Sequence, residues 1–414
     1  MTPLFAVSLA LNFLAAPEPV VLATDVPVGF PRASQVRAIT EEPKHHFFGY
    51  YGIFPWSASG RYMVYLETTF SDRLVEEVDR AGIVLHDVQS GERKTIAETG
   101  AWNFQQGALA HWIGNTDRIV YNDRVDGVVV SVVLDVGTGR KRTLPRPIAA
   151  VSPDGRTAAS INYARLRVTR PDYGYAGEGN AYAGEVAPAD DGLWIFDLET
   201  GESKMVVSLK QVFDFATPER QSSEDLFWFN HILFSRDGER IFFLGRTRHQ
   251  LGPLKTAAFT VGLDGGELRC LFPYAWGASH FDWIDGKRIM ATTRYQGESP
   301  WRHVLVTDGS ADYTVIAPDL LSADGHGHFS PDGRWMVTDS YPDKERYQHL
   351  YLVRMEDNTG VEIAKFQEPV EYKGFWRCDL HPRWSRDGKR LCIDSTHSGT
   401  RQVYVVELDW PTSP

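Results

Sequence analysis

One short signature recurs along this chain and dictates most of what it can fold into. It is an aromatic or apolar residue, a turn of the S-x-D-G type, then an alternating apolar run. It reads FSRDGERIFFLG from Phe234, FSPDGRWMVTDS from Phe329 and WSRDGKRLCIDS from Trp384. Looser copies are WSASGRYMVYLE from Trp56, WIGNTDRIVYND from Trp112, VSPDGRTAASIN from Val151 and WIDGKRIMATT from Trp283. D-G, T-G and S-G pairs suit tight hairpins because Gly, Asn and Asp tolerate positive φ. Period-2 alternation between such turns reads as antiparallel strands, and a spacing of roughly 40–80 residues fits four-stranded propeller blades with insertions. The expectation is an all-β, seven-bladed β-propeller occupying residues 34–414, with residues 1–33 as an N-terminal extension. The last repeat shows three strands, so SQVRAIT from Ser34 is expected to supply the fourth and close the ring, since an open ring leaves edges unpaired. One helix is expected near Leu209–Phe215.

A net charge of −11 and the absence of any basic run argue against a nucleic-acid partner. Cys270, Cys378 and Cys392 fit neither a disulfide framework nor a C-x-x-C metal spacing, and as reduced thiols they favour a cytoplasmic setting. The apolar run LFAVSLALNFLAA is too short to span a bilayer, so no membrane partner is expected. Read as a signal segment, cleaved near Ala15–Ala16, it would place the protein in the periplasm or outside the cell, although no Lys or Arg precedes it. The protein is expected to be a monomer or a small homo-oligomer.

Four histidines stand three residues before the aromatic of their repeats: His231 in HILF, His280 in HFDW, His326 in HGHF and His381 in HPRW. That segment forms the innermost strand, and equivalent positions on successive blades lie at one height around the axis. The four should therefore converge, and strand alternation adds His328 to them. Such a ring suits a divalent metal, because imidazole binds Zn, Fe, Ni or Mn. The alternative is a channel lining hydrogen-bonded to carbonyls and water. His86, His249, His303 and His349 read as surface or strand residues, and His397 as a loop residue. His45–His46, opening PKHHFFGYYGIFPW, are candidates for the channel mouth.

With the propeller repeats, NHILFSRDG, SHFDW and the H-x-H of DGHGHFSPDG, the chain resembles the oligogalacturonate lyases, a family of seven-bladed polysaccharide lyases. The resemblance covers mainly residues 227–406. It implies β-elimination of a uronate-containing, pectin-type acidic oligosaccharide. His231 would be the base, and His280, His326 and His328 would hold manganese, with zinc or calcium as alternatives. The family's Gln three residues before H-x-H is Ala323 here, so Asp324 or His381 would replace it. An anionic sugar also calls for guanidinium groups, and Arg246, Arg294, Arg377, Arg383 and Arg401 lie beside channel segments. Tyr163, Arg165, Arg167 and Arg170 form a basic-aromatic cluster that either binds sugar or opens a mobile insertion reaching Leu193. Two other readings stand beside the lyase. One is a Tol-type propeller scaffold. The other is a propeller glycoside hydrolase, or a lyase for ulvan or rhamnose–glucuronate linkages, using HHFFGYY.

Overall fold

Each S-x-D-G turn closes by the same chemistry. The serine hydroxyl donates to the aspartate carboxylate at 2.6 Å in Ser152–Asp154, Ser235–Asp237, Ser330–Asp332 and Ser385–Asp387. The same hydroxyl accepts the backbone N–H five residues on, as Trp335 does to Ser330 at 3.0 Å. The glycine that follows lies at φ between 67 and 78° in all four, a region Gly enters without a Cβ penalty. At Gly155 a Cβ would also stand 2.6 Å from the Gly114 nitrogen of the preceding blade. Ser330→Ala removes a donor and an acceptor from a closed turn. It is expected to cost about 1–2 kcal/mol, read as a lower urea midpoint with an unchanged slope.

These turns build seven antiparallel sheets in a computed structural model that describes residues 18–50, 52–216, 226–248 and 252–411. The apolar run of residues 4–16 and His249 lie outside the described residues. Each sheet is one blade of a propeller, and the innermost strands of blades 1 to 7 are His45–Phe47, His111–Trp112, Ala150–Val151, Leu226–Phe234, Phe281–Trp283, His328–Phe329 and Arg383–Trp384. The repeat aromatics Trp56, Trp112, Phe234, Trp283, Phe329 and Trp384 are all buried in the core. In blade 7 the outer strand is Arg32–Ala38, antiparallel to Gln402–Asp409 with Val36 opposite Val406. Among the described residues before 34, Val20–Leu22, Arg32 and Ala33 also belong to propeller sheets. Val20–Leu22 adds a fifth strand to blade 6, and Phe30 packs edge-on to Trp335 at 5.3 Å.

The expected helix is Leu209–Phe215, opened by a Ser208–Gln211 capping box. The insertion in blade 3 differs from the sequence reading. It starts with a helix, Tyr163–Thr169, capped by Asn162, and it is pinned rather than loose. Arg165 is buried and donates to the carbonyls of Phe227, Glu185 and Val186 at 2.7–2.9 Å. Arg167 holds the Pro171 and Val75 carbonyls, and Tyr163 donates to Ile148. Of the four residues read as a sugar-binding cluster, these three are spent on backbone groups. Cys270, Cys378 and Cys392 are free thiols. Among the described residues no helix is long and apolar enough to cross a membrane.

Candidate metal centre and proton acceptor

Three imidazoles from three consecutive blades meet near the axis, where the chain enters the innermost strands. The His280 and His326 ring centroids lie 3.8 Å apart, and those of His326 and His381 lie 4.4 Å apart. Ligand atoms of His326, His381 and Asp379 all fall within 4.8 Å of one another. All four residues are buried. Carboxylates orient two of the rings. Asp339 accepts from His326 Nδ1 at 2.8 Å, and Asp324 accepts from His280 Nδ1 at 3.0 Å. This is the arrangement that fixes the tautomer of a metal-ligating histidine and aims Nε2 at the ion.

In four blades the residue about ten positions after the repeat aromatic explains how these segments are held. In blade 6 it is Asp339, which also accepts the backbone N–H groups of His326 and, from the next blade, His381. In blade 7 it is Asp394, which accepts from Phe48 and Gly49 of blade 1 at 3.2 and 3.1 Å. In blade 2 it is Asn122, bonded to both backbone groups of Ile148. In blade 5, one residue shorter, it is Thr292, which accepts from the His280 N–H and donates to Asp324. In blades 2, 5, 6 and 7 one repeat position thus staples an entry segment.

His231 stands beside the cluster on a β-bulge in the blade 4 inner strand, where the register slips between Asn230 and Leu233. Its φ is +56°, and that of His381 is +46°; both are left-handed conformations uncommon for non-glycine residues. Tyr50 stacks on His231 at 4.6 Å and reaches towards His381 at 6.3 Å. Gly49, at φ +90°, lets the chain pass so close to Gln106 that a Cβ would sit 2.9 Å from its carbonyl carbon. Asn230 accepts the His231 N–H with Oδ1 and so turns its Nδ2 to His231 Nε2 at 3.3 Å. Nε2 is then the lone-pair nitrogen. Nδ1 carries the proton and faces the Gln106 amide at 3.4 Å. Exchanging the N and O of that amide supplies the acceptor and also gives its buried Oε1 a partner.

Burial, then the charge of Arg246, pushes the His231 pKa well below its ordinary value. Burial also lowers the pKa values of His280 and His381. His326 is the exception: burial opposes its cation, but Asp339 together with Asp379 and Asp324 outweighs burial and lifts the pKa. Arg377 donates to Asp379 at 2.9 Å and to the Tyr173 hydroxyl at 3.2 Å. Tyr173 in turn sits edge-on to His231 at 5.0 Å, with the Arg170 guanidinium over its ring at 4.5 Å.

Several predicted site residues lie elsewhere. His328 does not join the cluster. Its Nδ1 accepts from the Trp384 N–H at 3.3 Å, and its ring meets Phe54 at 5.1 Å and lies 4.0 Å from Asp282. Alternation fails because residues 324–327 are not yet strand. Gly327 donates to the Gly325 carbonyl, and this three-residue turn aims the two imidazoles differently. Arg383 is buried against the Ile53 and Pro382 carbonyls, and Arg401 holds those of Phe104, Trp376 and Arg377. Both guanidinium groups are engaged by backbone carbonyls, and Arg294 is exposed near Trp301. Arg246 and Arg377 remain beside the site. His46 is engaged by Gln402 and Glu67, His349 by Glu362 and Asp343, His303 by Thr338, and His397 by Ser395 and Tyr404. His86 is buried edge-on to Tyr65. The sequence reading missed Asp379, two residues before His381 in CDLHP, and also Asp339, Tyr50 and Tyr173.

A seven-bladed propeller with a buried axial cluster of imidazoles and carboxylates is the class that fold and site define. Among solved structures, the chain is similar to an oligogalacturonate lyase in complex with manganese. The TM-score is 0.67 at 16% identity, covering 94% of this chain and 97% of that one. It is similar also to the oligogalacturonate lyase of Vibrio parahaemolyticus, with a TM-score of 0.62 at 14% identity, covering 90% and 93%. TolB from Acinetobacter baumannii follows at 0.40 and 15%, covering 87% and 85%. At these identities the likeness is one of fold. No protein-family model matches the sequence, and no curated protein does.

Proposed function

We propose that this chain is a metal-assisted lyase that cleaves uronate-containing glycans of the oligogalacturonate kind by β-elimination. The observation that carries the reading is the convergence of His280, His326 and His381 with Asp379, beside a separate, uncharged His231. The structural likeness to two oligogalacturonate lyases along most of the chain supports it.

Imidazoles with one carboxylate suit manganese, iron or zinc, whereas calcium prefers an all-oxygen set. A divalent ion held by these four residues would supply Lewis acidity that neutralises the substrate carboxylate. The chain's own groups do the rest. Once the Asn230 amide gives up its bond to His231 Nε2, this uncharged nitrogen takes the proton from C5. The C4–O bond breaks as the C4=C5 double bond forms, and the departing oxygen takes a proton from solvent. Arg377 offers a fork to a sugar carboxylate once its bond to Tyr173 opens, and Arg170 and Arg246 add positive potential. An acidic oligosaccharide is thus drawn to a basic spot on an acidic protein.

The test is elemental analysis of the purified protein together with ultraviolet absorbance during incubation with oligogalacturonate. Stoichiometric metal and a growing unsaturated-uronate signal are expected, with the metal lost in His326→Ala and His381→Ala. Retention of the metal in both variants would sink the ligand assignment. Absence of metal and of signal would favour a scaffold.

A further inference from the structure

A well-formed cavity of the propeller lies away from the imidazole cluster. It opens at the other mouth of the axis, where the S-x-D-G turns leave the innermost strands, and it measures about 330 Å³. That volume is typical of a small-molecule site. Its wall is mainly apolar and aromatic, with Phe54, Trp112, Ile232, Phe234 and Trp283 around it.

The charges at this mouth do not balance. Arg236 and Asp282 stand 3.7 Å apart and offset one another. Arg236 is further committed to the carbonyls of Trp283, Phe329 and Ser330. His111 Nδ1 is bonded to the Leu109 carbonyl, and burial pushes its pKa down to about 4, so it is neutral. Burial likewise holds His328 uncharged at neutral pH. The remaining charge is Arg386, which occupies in blade 7 the same Ser-Arg-Asp-Gly position that Arg236 holds in blade 4. Its guanidinium lies over the Phe54 ring at 4.4 Å and has neither an ion pair nor a hydrogen bond among the described residues. Of two arginines at one repeat position, the fold uses one as a structural tie and leaves the other poised over an aromatic wall.

We infer that this cavity is a second binding site, for a small monocarboxylate with a planar apolar body, such as an aromatic acid. The carboxylate takes the Arg386 fork in a charge-assisted, bidentate pair, and the ring lies against the aromatic wall. A single guanidinium selects a monoanion over a phosphate, which would need more donors. The apolar lining disfavours a sugar, whose hydroxyls would be left unbonded. The inference is independent of the lyase reading.

The test is calorimetric titration of phenylpropionate into the full chain, with phenylpropionamide as the uncharged control. One-to-one binding is expected, weaker by about tenfold or more for the amide and for Arg386→Gln, since the charge-assisted pair is lost in both. Arg386→Lys should fall between, and Phe54→Ala should weaken acid and amide alike. His326→Ala, which breaks the imidazole cluster, should leave the affinity unchanged. Arg386 lies on an exposed turn, so its variants should keep the parent's thermal midpoint. Three results would overturn the site: no binding, equal affinity for acid and amide, or loss of binding in His326→Ala, which would place the acid on the imidazoles.

Discussion

His231→Ala is expected to lower the rate of elimination by about 10²–10⁴-fold, the usual loss when a positioned general base is removed. Metal content should not change, because the rings of the metal cluster are oriented by Asp339 and Asp324, and neither contacts His231. The alanine inherits a backbone at φ +56° and leaves a gap under Tyr50, so a modest loss of stability accompanies it. His231→Asn is the control, since asparagine tolerates the left-handed region yet is no base at neutral pH. Initial rates of absorbance, read beside metal content and thermal midpoint, separate the roles. A His231→Asn variant with full turnover would remove His231 from the chemistry. Loss of metal in both variants would make it part of the metal centre instead.

The propeller was legible because each blade is made locally. Turn chemistry, alternation and the buried aromatic all sit within a dozen residues, and their repetition reports the architecture. The convergence of His280, His326 and His381 was legible for the same reason, since equal repeat position means equal height along the axis. His328 was not, because alternation assumes extended backbone and the Gly325–Gly327 turn comes first. Asp339, Asp394, Asn122 and Thr292 share one repeat position, but they differ in residue type and act on the neighbouring blade. Aligning the repeats for polar residues would have marked that column. The arginines were the least legible. Arg383 and Arg377 are both flanked by candidate site residues, yet one is absorbed by carbonyls across the blade 7–blade 1 seam and the other faces the cluster. That outcome is set by contacts between blades, which a local motif does not encode.

Asp394→Asn is expected to flatten much of the protein's loss of stability between about pH 4 and about pH 7. The Asp394 carboxyl is buried, and burial lifts its pKa to about 7 against the opposing pull of Arg401, Arg383 and the Gly49 and Phe48 N–H groups. In the unfolded chain the same group titrates near 3.9. Between these values the folded state binds a proton that the unfolded state has released. Its stabilising effect is therefore complete below about pH 4, falls as pH rises, and is gone above about pH 7. A shift of roughly three units corresponds to about 4 kcal/mol over the whole window. Asparagine keeps an oxygen for the Phe48 or Gly49 N–H and never ionises, and Asn122 already fills the equivalent position in blade 2. The measurement is the urea midpoint of parent and variant at several pH values. The parent should decline relative to Asp394→Asn as pH rises towards 7, and the two curves should run parallel above it. Glu368, also raised to about 7 mainly by burial, adds a decline of the same sign to both proteins and cancels in the difference. Parallel curves throughout would mean that Asp394 is ionised in the fold and that the staple to blade 1 is a full charge.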